Sequence, residues 1–243
     1  MFFRRKHNID PSVIEQVIDD QVALANQLDP AERQRLTDIT LELLERKHWE
    51  GVRPLEVTDE MKIVVAANAA IPLLALDTGF YRNVKAILIM ETAIKTSGAR
   101  GGPARGVIST EPVDIIGQAS QFSGPLTLAW DASLADSQNP QSGRNVIIHE
   151  FAHKIDMADG YADGAPPLPE HDAQDWLELV ERETHAPIPE RDPLRPYAWS
   201  NPAEFFAVAT ESYFLEPRAL HEARPHLYDA LDAFYRQNTM TRG

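Results

Sequence analysis

The chain has 243 residues, 43% of them hydrophobic, which is enough to bury a full core in one compact domain. Acidic residues outnumber Lys and Arg by 37 to 23, and the formal net charge of -14 argues against a nucleic-acid partner, because binding to phosphates needs clustered cations. The absence of cysteine excludes disulfides, thiol catalysis and thiolate zinc sites. No apolar stretch follows the basic residues near the start, so the sequence predicts no signal peptide and favours a cytoplasmic protein.

The first part of the chain has the pattern of a helical section. The predicted helices Pro11–Leu28 and Pro30–Lys47 each begin with proline directly after an aspartate, which is a typical helix start. A third helix is predicted within Ile63–Leu76, which is apolar enough to be buried but shorter than the ~20 residues of a membrane span. We expect residues 1–80 to pack on a core formed by residues 81–243, as one compact domain without contact to a membrane.

Three short apolar runs after this section predict β-strands: Lys85–Met90, Asp114–Ala119 and Pro125–Trp130. They are expected to form a small mixed β-sheet, which together with the helices gives an α+β fold. The glycine-rich segment Ser97–Pro103 lacks the Gly-Lys-Ser/Thr ending of a phosphate-binding loop and is interpreted as a plain loop. The last of the three strands is either an ordinary core strand or an edge strand that pairs with an extended peptide.

The segment Asn145–Asp156 carries the pattern His-Glu-x-x-His inside an apolar run. Residues four apart differ by about 40° around a helix axis, so His149 and His153 lie on one face and can reach the same ion. Glu150 follows the first histidine, where a carboxylate can polarise the attacking water. The alternative is a pair of structural histidines, but burying them beside a carboxylate is costly unless a metal or hydrogen bonds compensate. The pattern therefore predicts the active-site helix of a zinc enzyme.

A catalytic zinc site usually has three protein ligands and an open position for water, so a third ligand is expected beyond this helix. The six remaining histidines lie in polar or proline-flanked surroundings. The segment Ser200–Phe214 predicts an apolar helix with Glu204 and Glu211 seven residues apart on one face. Either can be the ligand while the other accepts the N–H of a ligand histidine. Glu204 is favoured, although a first-turn glutamate also complements the helix dipole.

Asp156 is a further candidate for holding a ligand histidine by a hydrogen bond. It follows His153 by three residues and His149 by seven, which places it on the ligand face of the helix. The alternative for this residue is an acid at a helix end, in contact with water.

Two more helices are predicted in the second half of the chain. One is a polar helix near Ala173–Thr184, between two proline-rich stretches that are expected to form surface loops around a cleft. The other runs from Pro225 to Tyr235 and closes the chain.

Two sequence blocks, residues 149–156 and 197–208, resemble the Mlc titration factor A family of bacterial zinc peptidases, and they are similar to the gluzincin core of lethal-factor-type proteases. The resemblance implies a zincin-like metallopeptidase core in which Glu204 is the third ligand. It also implies that Tyr197, seven residues earlier, faces the metal, although by its position alone a tyrosine there is more typical of packing. Many gluzincins have an acidic residue four positions after the third ligand, where this chain has Val208.

The motif and the resemblance together predict a zinc-dependent peptidase. An aminopeptidase-like enzyme is one kind of peptidase that fits this prediction. One zinc ion would be held by His149, His153 and Glu204. Glu150 would act as the base, and Tyr197 would stabilise the oxyanion. The expected partners are a peptide substrate and, from the family name, a sugar-responsive transcription repressor.

A regulatory protein that sequesters this repressor with little or no catalysis is the alternative function. The intact Glu150 favours catalysis, because a structural metal site has no need of a carboxylate beside the ligand. A structural zinc domain is disfavoured because the sequence offers no fourth ligand.

Overall fold

The computed structural model describes residues 9–92 and 124–242, which form a mostly helical α+β structure around a small sheet. The described part of the chain contains nine α-helices and three strands, in the order α1 Pro11–Gln21, α2 Pro30–Arg46, β1 His48–Gly51, α3 Asp59–Ala70, β2 Ala86–Met90, β3 Leu126–Ala129, α4 Trp130–Gln138, α5 Val146–Asp156, α6 Glu170–His185, α7 Pro202–Leu215, α8 Pro217–Ala223 and α9 Pro225–Tyr235. The predicted α+β class is confirmed.

The first two helices begin where the Asp-Pro pairs predict. The side chain of Asp10 accepts a hydrogen bond from the backbone N–H of Ser12, and Asp29 forms a capping box with Glu32. The end of α1 was predicted too late. Val22 leaves the helical region and buries its side chain, so a short 3-10 turn replaces the last part of the predicted helix.

The third helix starts earlier than predicted, and it also ends earlier. It begins at Asp59, where Thr58 caps it, and its side chains from Lys62 to Ala70 are buried. The α-helix gives way to a 3-10 turn, Ile71–Leu73, because Pro72 has no N–H with which to continue the α-helical ladder. The buried side chains place this helix in the interior of the protein. No helix in the described ranges is long and apolar enough to cross a membrane.

The sheet has the order β1-β2-β3, and both strand pairs are parallel, with Ile87 opposite Trp49 on one side and Leu126 on the other. The predicted strands at Lys85–Met90 and Pro125–Trp130 are confirmed. A mixed sheet would need an antiparallel strand, which residues 9–92 and 124–242 do not contain. The predicted strand Asp114–Ala119 and the glycine-rich loop lie outside the described residues.

Three of the helices and strands, β1, α4 and α8, were not predicted. The first is a run of only four residues with polar alternation, and its pairing with β2 depends on a partner distant in the chain. The second, α4, follows β3 without an intervening loop and has a weak apolar pattern in which Ser133 and Ser137 are the buried residues. The helices predicted near Ala173–Thr184 and at Pro225–Tyr235 are confirmed as α6 and α9.

Helices α5 and α7 pack against each other, and α3 packs against α5. Their apolar residues belong to a single hydrophobic cluster that extends from Ile14 to Tyr235. In this cluster the ring of Phe151 on α5 lies 4.6 Å from that of Tyr81, measured between centroids. The packing fixes the relative position of the two helices that carry the candidate ligands.

A turn in the segment after α5 brings Gly164, which has φ +79°, against the start of α7. Its N–H donates to Asp156 at 3.1 Å, and its carbonyl accepts from the indole N–H of Trp176 at 2.9 Å. A Cβ added at Gly164 would lie 2.2 Å from the carbonyl oxygen of Pro202. Backbone atoms of α7 thus occupy the space of any side chain at this position.

We expect Gly164→Ala to lower the free energy of unfolding by more than the ~1–2 kcal/mol that a left-handed backbone costs an L-residue. Gly160→Ala is the matched control, because Gly160 also has positive φ but has nothing within 4 Å of the added Cβ. Urea unfolding of both variants measures the difference. Equal stability of the two variants would contradict the close approach of this turn to α7.

Candidate metal centre

The two histidines of the motif lie on helix α5, as their spacing predicts. Asn145 caps the helix by accepting a hydrogen bond from the N–H of Ile148 at 3.1 Å. His149 and His153 are buried one turn apart, with ring centroids separated by 4.9 Å and rings nearly perpendicular. Glu150, between them in sequence, is only partly buried, so its carboxylate is more open to water than the imidazoles are.

Glu204 completes the cluster from the first turn of α7, which is capped by Asn201. Its Oε2 atom lies 3.1 Å from Nε2 of His149 and 3.3 Å from Nε2 of His153. Two ligand atoms, each about 2.1 Å from an ion and at a tetrahedral angle, are ~3.4 Å apart. The donor set of two imidazole nitrogens and one carboxylate oxygen, all within 4.8 Å of one another, therefore fits a single metal ion.

Glu211 lies on the opposite side of the His149 ring. It is 1% exposed, and its Oε2 atom is 2.9 Å from Nδ1 of His149. Its Oε1 atom accepts the backbone N–H of Asn145 at 2.8 Å, and the guanidinium of Arg195 donates to Oε2. The structure thus places one carboxylate at each imidazole nitrogen, with Glu204 at the side where the ligand atoms converge and Glu211 behind it.

The two carboxylates beside His149 favour a positive charge at its ring. Burial by itself lowers the pKa of His149, but Glu211 and Glu204 at its two nitrogens outweigh this effect and raise the pKa to about 10. Burial disfavours the charged form of Glu204, yet hydrogen bonds from His149 and His153 hold its pKa well below the usual range. The pKa of Glu211 is also lowered, since His149 and Arg195 outweigh its burial. Two ionised carboxylates therefore converge on this histidine.

Tyr197 lies next to this cluster, in the short 3-10 turn Pro196–Ser200 that leads into α7. Its ring is half-buried, and its centroid is 6.1 Å from that of His149. The structure therefore brings Tyr197 close to the ligands, with its ring tilted by 35° to the imidazole.

Asp156 does not join the cluster through a hydrogen bond. It is fully buried at the end of α5, where Oδ1 accepts the N–H of Gly164 and Oδ2 has no hydrogen-bond partner among the described residues. Burial raises the pKa of its carboxyl group to about 7. The acid holds the turn at Gly164, and Glu211 is the carboxylate at Nδ1 of the candidate ligand His149.

Sequence reasoning missed a chain of buried polar groups that continues behind the centre. The side-chain amide of Asn145 donates to Oδ1 of Asn68 at 2.8 Å, Asn68 donates to the hydroxyl of Ser137 at 2.8 Å, and Ser137 donates to the backbone carbonyl of Gln21 at 2.6 Å. Asn145 carries a recognisable helix-cap signal, but its partners come from three other helices and have no local pattern. These bonds satisfy groups that would be costly to bury alone.

Comparisons with known proteins place this chain among related sequences. A family model described as glucose-regulated metallo-peptidase M90 matches residues 3–236. An uncharacterized protein from Synechocystis sp. is 32% identical over 225 residues, covering 90% of this chain and 82% of that protein. Proteins named Mlc titration factor A from Edwardsiella ictaluri and Serratia proteamaculans are 33% and 31% identical, and each alignment covers 91% of this chain and 86% of the relative. The resemblance to the Mlc titration factor A family is confirmed, and the chain belongs to the glucose-regulated metallo-peptidase M90 family.

Proposed function

We propose that the protein is a zinc-dependent peptidase with a zincin-like, gluzincin-type catalytic core in residues 81–243, on which the helical section 1–80 packs. The observation that carries the proposal is the convergence of His149, His153 and Glu204 at the separations that one tetrahedral ion requires. The family is one of metallopeptidases, which agrees with this interpretation. Zinc is the metal we propose, because two imidazoles and one carboxylate are a usual set of ligands in catalytic zinc sites.

The residues around the ligands have separate tasks in this proposal. When bound, zinc lowers the pKa of its water toward ~7 and polarises the carbonyl of the peptide. Glu150 takes the proton from the attacking water and gives it to the leaving amine. Glu211 orients the imidazole of His149 through Nδ1. The hydroxyl of Tyr197 donates a hydrogen bond to the oxyanion that forms at the peptide carbonyl.

Removal and return of the metal tests this function. We expect the purified protein to contain one equivalent of zinc, to lose peptide hydrolysis after treatment with a chelator, and to regain it when zinc is added. His149→Ala should bind less zinc and stay inactive in the same assay. Metal analysis and a set of chromogenic peptides provide the two measurements. Hydrolysis that persists in the metal-free protein, with wild-type and His149→Ala protein equally active, would exclude the proposed centre.

The same assay addresses the kind of peptidase. An aminopeptidase-like enzyme, which we propose as one form of the activity, requires a free amino terminus on its substrate. Each peptide is therefore tested with a free and with an acetylated amino terminus. Equal cleavage of both forms would instead indicate an endopeptidase.

Binding of a transcription repressor is a second candidate function, favoured by the name of the relatives. The relatives are named Mlc titration factor A, and this name mentions Mlc. For this chain we propose that a repressor of the same kind binds to the protein in addition to catalysis. Binding to purified Mlc, measured for wild-type and Glu150→Gln protein, tests the candidate, and absence of binding in both proteins would reject it.

A further inference from the structure

Arg195 is a charged residue near the centre whose role is not explained by the ligands or by the proposed base. Its guanidinium forms an ion pair with Glu211, which is buried at the back of His149. Within residues 9–92 and 124–242, Arg195 is the only Lys or Arg that pairs with Glu211. Its own side chain is 19% exposed, so this pair is largely shielded from water.

The contacts of Glu211 show why its position matters. One carboxylate oxygen accepts the backbone N–H of Asn145 at the start of α5, and the other lies against Nδ1 of His149 and the guanidinium of Arg195. The partner at Nδ1 determines how an imidazole ligand is oriented and which of its nitrogens faces the metal. A displaced Glu211 would therefore leave His149 free to rotate about its side-chain torsions.

An arginine is well suited to prevent this displacement. Its planar guanidinium donates in fixed directions, and an ion pair in a mostly buried place is screened less by water than one on the surface. A buried carboxylate without a cationic partner is strongly unfavourable. Arg195 therefore holds Glu211 in position, and its positive charge also offsets the cost of burying this carboxylate.

Arg195 is also connected to Tyr197 through the backbone. Its carbonyl accepts the N–H of Ala198 at 2.9 Å and so begins the 3-10 turn that carries Tyr197. Pro196 lies between the two residues and restricts the backbone torsion there. An anchored guanidinium at one end of this short turn limits the movement of the tyrosine ring beside His149.

We propose that Arg195 is a positioning residue of the metal centre, which joins the turn carrying Tyr197 to Glu211 and through Glu211 fixes the imidazole of His149. This inference rests on the proposed metal site. It adds a residue from a proline-flanked loop to the machinery of the centre. Its effect reaches the metal through another side chain, so it changes metal affinity and ligand geometry in addition to the reaction rate.

Zinc affinity and the absorption spectrum of the cobalt-substituted protein test the proposal without relying on catalysis. We expect Arg195→Met to weaken zinc binding by about 10- to 100-fold, as the loss of an outer hydrogen-bond partner does, and to shift the cobalt spectrum. Arg195→Lys keeps the charge but not the planar donor geometry, and should show a smaller change in the same direction. Competition with a chelator gives the zinc affinities.

Arg191→Met is the matched control, because it removes the same charge from an exposed position in the same loop. It should leave zinc affinity and spectrum as in the wild type. Arg195→Met combined with Glu211→Gln should weaken zinc binding by less than the product of the two single effects, since both act through one interaction. Tyr197→Phe should reduce kcat with unchanged zinc affinity, which separates the effect of the tyrosine from that of the arginine.

The outcomes distinguish this inference from the proposed function. If wild-type protein binds zinc but cleaves no peptide, the peptidase proposal fails while the zinc affinities still decide the role of Arg195. If Arg195→Met matches Arg191→Met in affinity and spectrum, the inference is wrong. If Arg195→Met does not fold, judged by circular dichroism, Arg195→Lys decides, and wild-type affinity and spectrum in that variant would overturn the proposal.

Discussion

Glu150→Gln is expected to lose peptide hydrolysis by ~100- to 10,000-fold, the usual contribution of a general base or acid. The amide has nearly the shape of the carboxylate, but it cannot accept the proton of the attacking water. The carboxylate of Glu150 is partly exposed and lies outside the three-atom cluster that the structure brings together. Zinc content should therefore remain at the wild-type level, and kcat/KM together with metal analysis measures both effects.

Two other results would change the assignment of Glu150. Loss of zinc from Glu150→Gln would make this glutamate a ligand. Unchanged kcat/KM with full zinc content would show that another group takes the proton. Glu178→Gln is a suitable control, since Glu178 is an exposed glutamate on α6, and this variant should have wild-type activity and zinc content.

Glu204→Ala and Glu211→Ala are expected to differ strongly in zinc affinity, although the two glutamates lie on the same helix. Glu204 supplies an oxygen near Nε2 of both histidines, so its removal takes away one of the three proposed ligands. Glu211 contacts Nδ1 of His149, and loss of such an outer partner costs ~10- to 100-fold in affinity. The zinc dissociation constant of Glu204→Ala should therefore rise well beyond that range.

The comparison needs a check for folding, because both carboxylates are buried. Glu204→Gln and Glu211→Gln keep the side-chain volume and should preserve the order of the two effects. Competition with a chelator measures the affinities, and circular dichroism shows whether each variant is folded. A reversed order in the folded variants would make Glu211 the ligand and Glu204 the outer residue.

Local signals in the sequence were sufficient to predict the starts of the first two helices and the helix that carries the His-Glu-x-x-His motif. Asp10 and Asp29 act on the N–H groups of the next few residues, so their capping depends on neighbours in the chain. The pairing of His149 with His153 follows from the helical repeat alone. These features are set by interactions within about one turn of helix, and the structure agrees with them.

The sequence pattern could not predict interactions between segments that are distant in the chain. Glu204 and Glu211 share one face of α7, and their contacts differ because the His149 ring lies between them with one nitrogen toward each. Asp156 met the same spacing criterion but is occupied by the turn at Gly164. Arg195 lies among prolines without periodicity, and its partner is known only once the loop and α7 are packed.

The buried hydrogen bonds behind Asn145 affect any attempt to transplant this candidate metal centre into a designed scaffold. Helices α5 and α7 contain all three candidate ligands, and a designer could copy that pair alone. The copied Asn145 would then lack the amide oxygen of Asn68, and the cap of the ligand helix would have to find a new acceptor in the host core. A graft that also carries Asn68 and Ser137 from α3 and α4 would keep that acceptor, and should hold the ligand helix more rigidly than the two-helix graft.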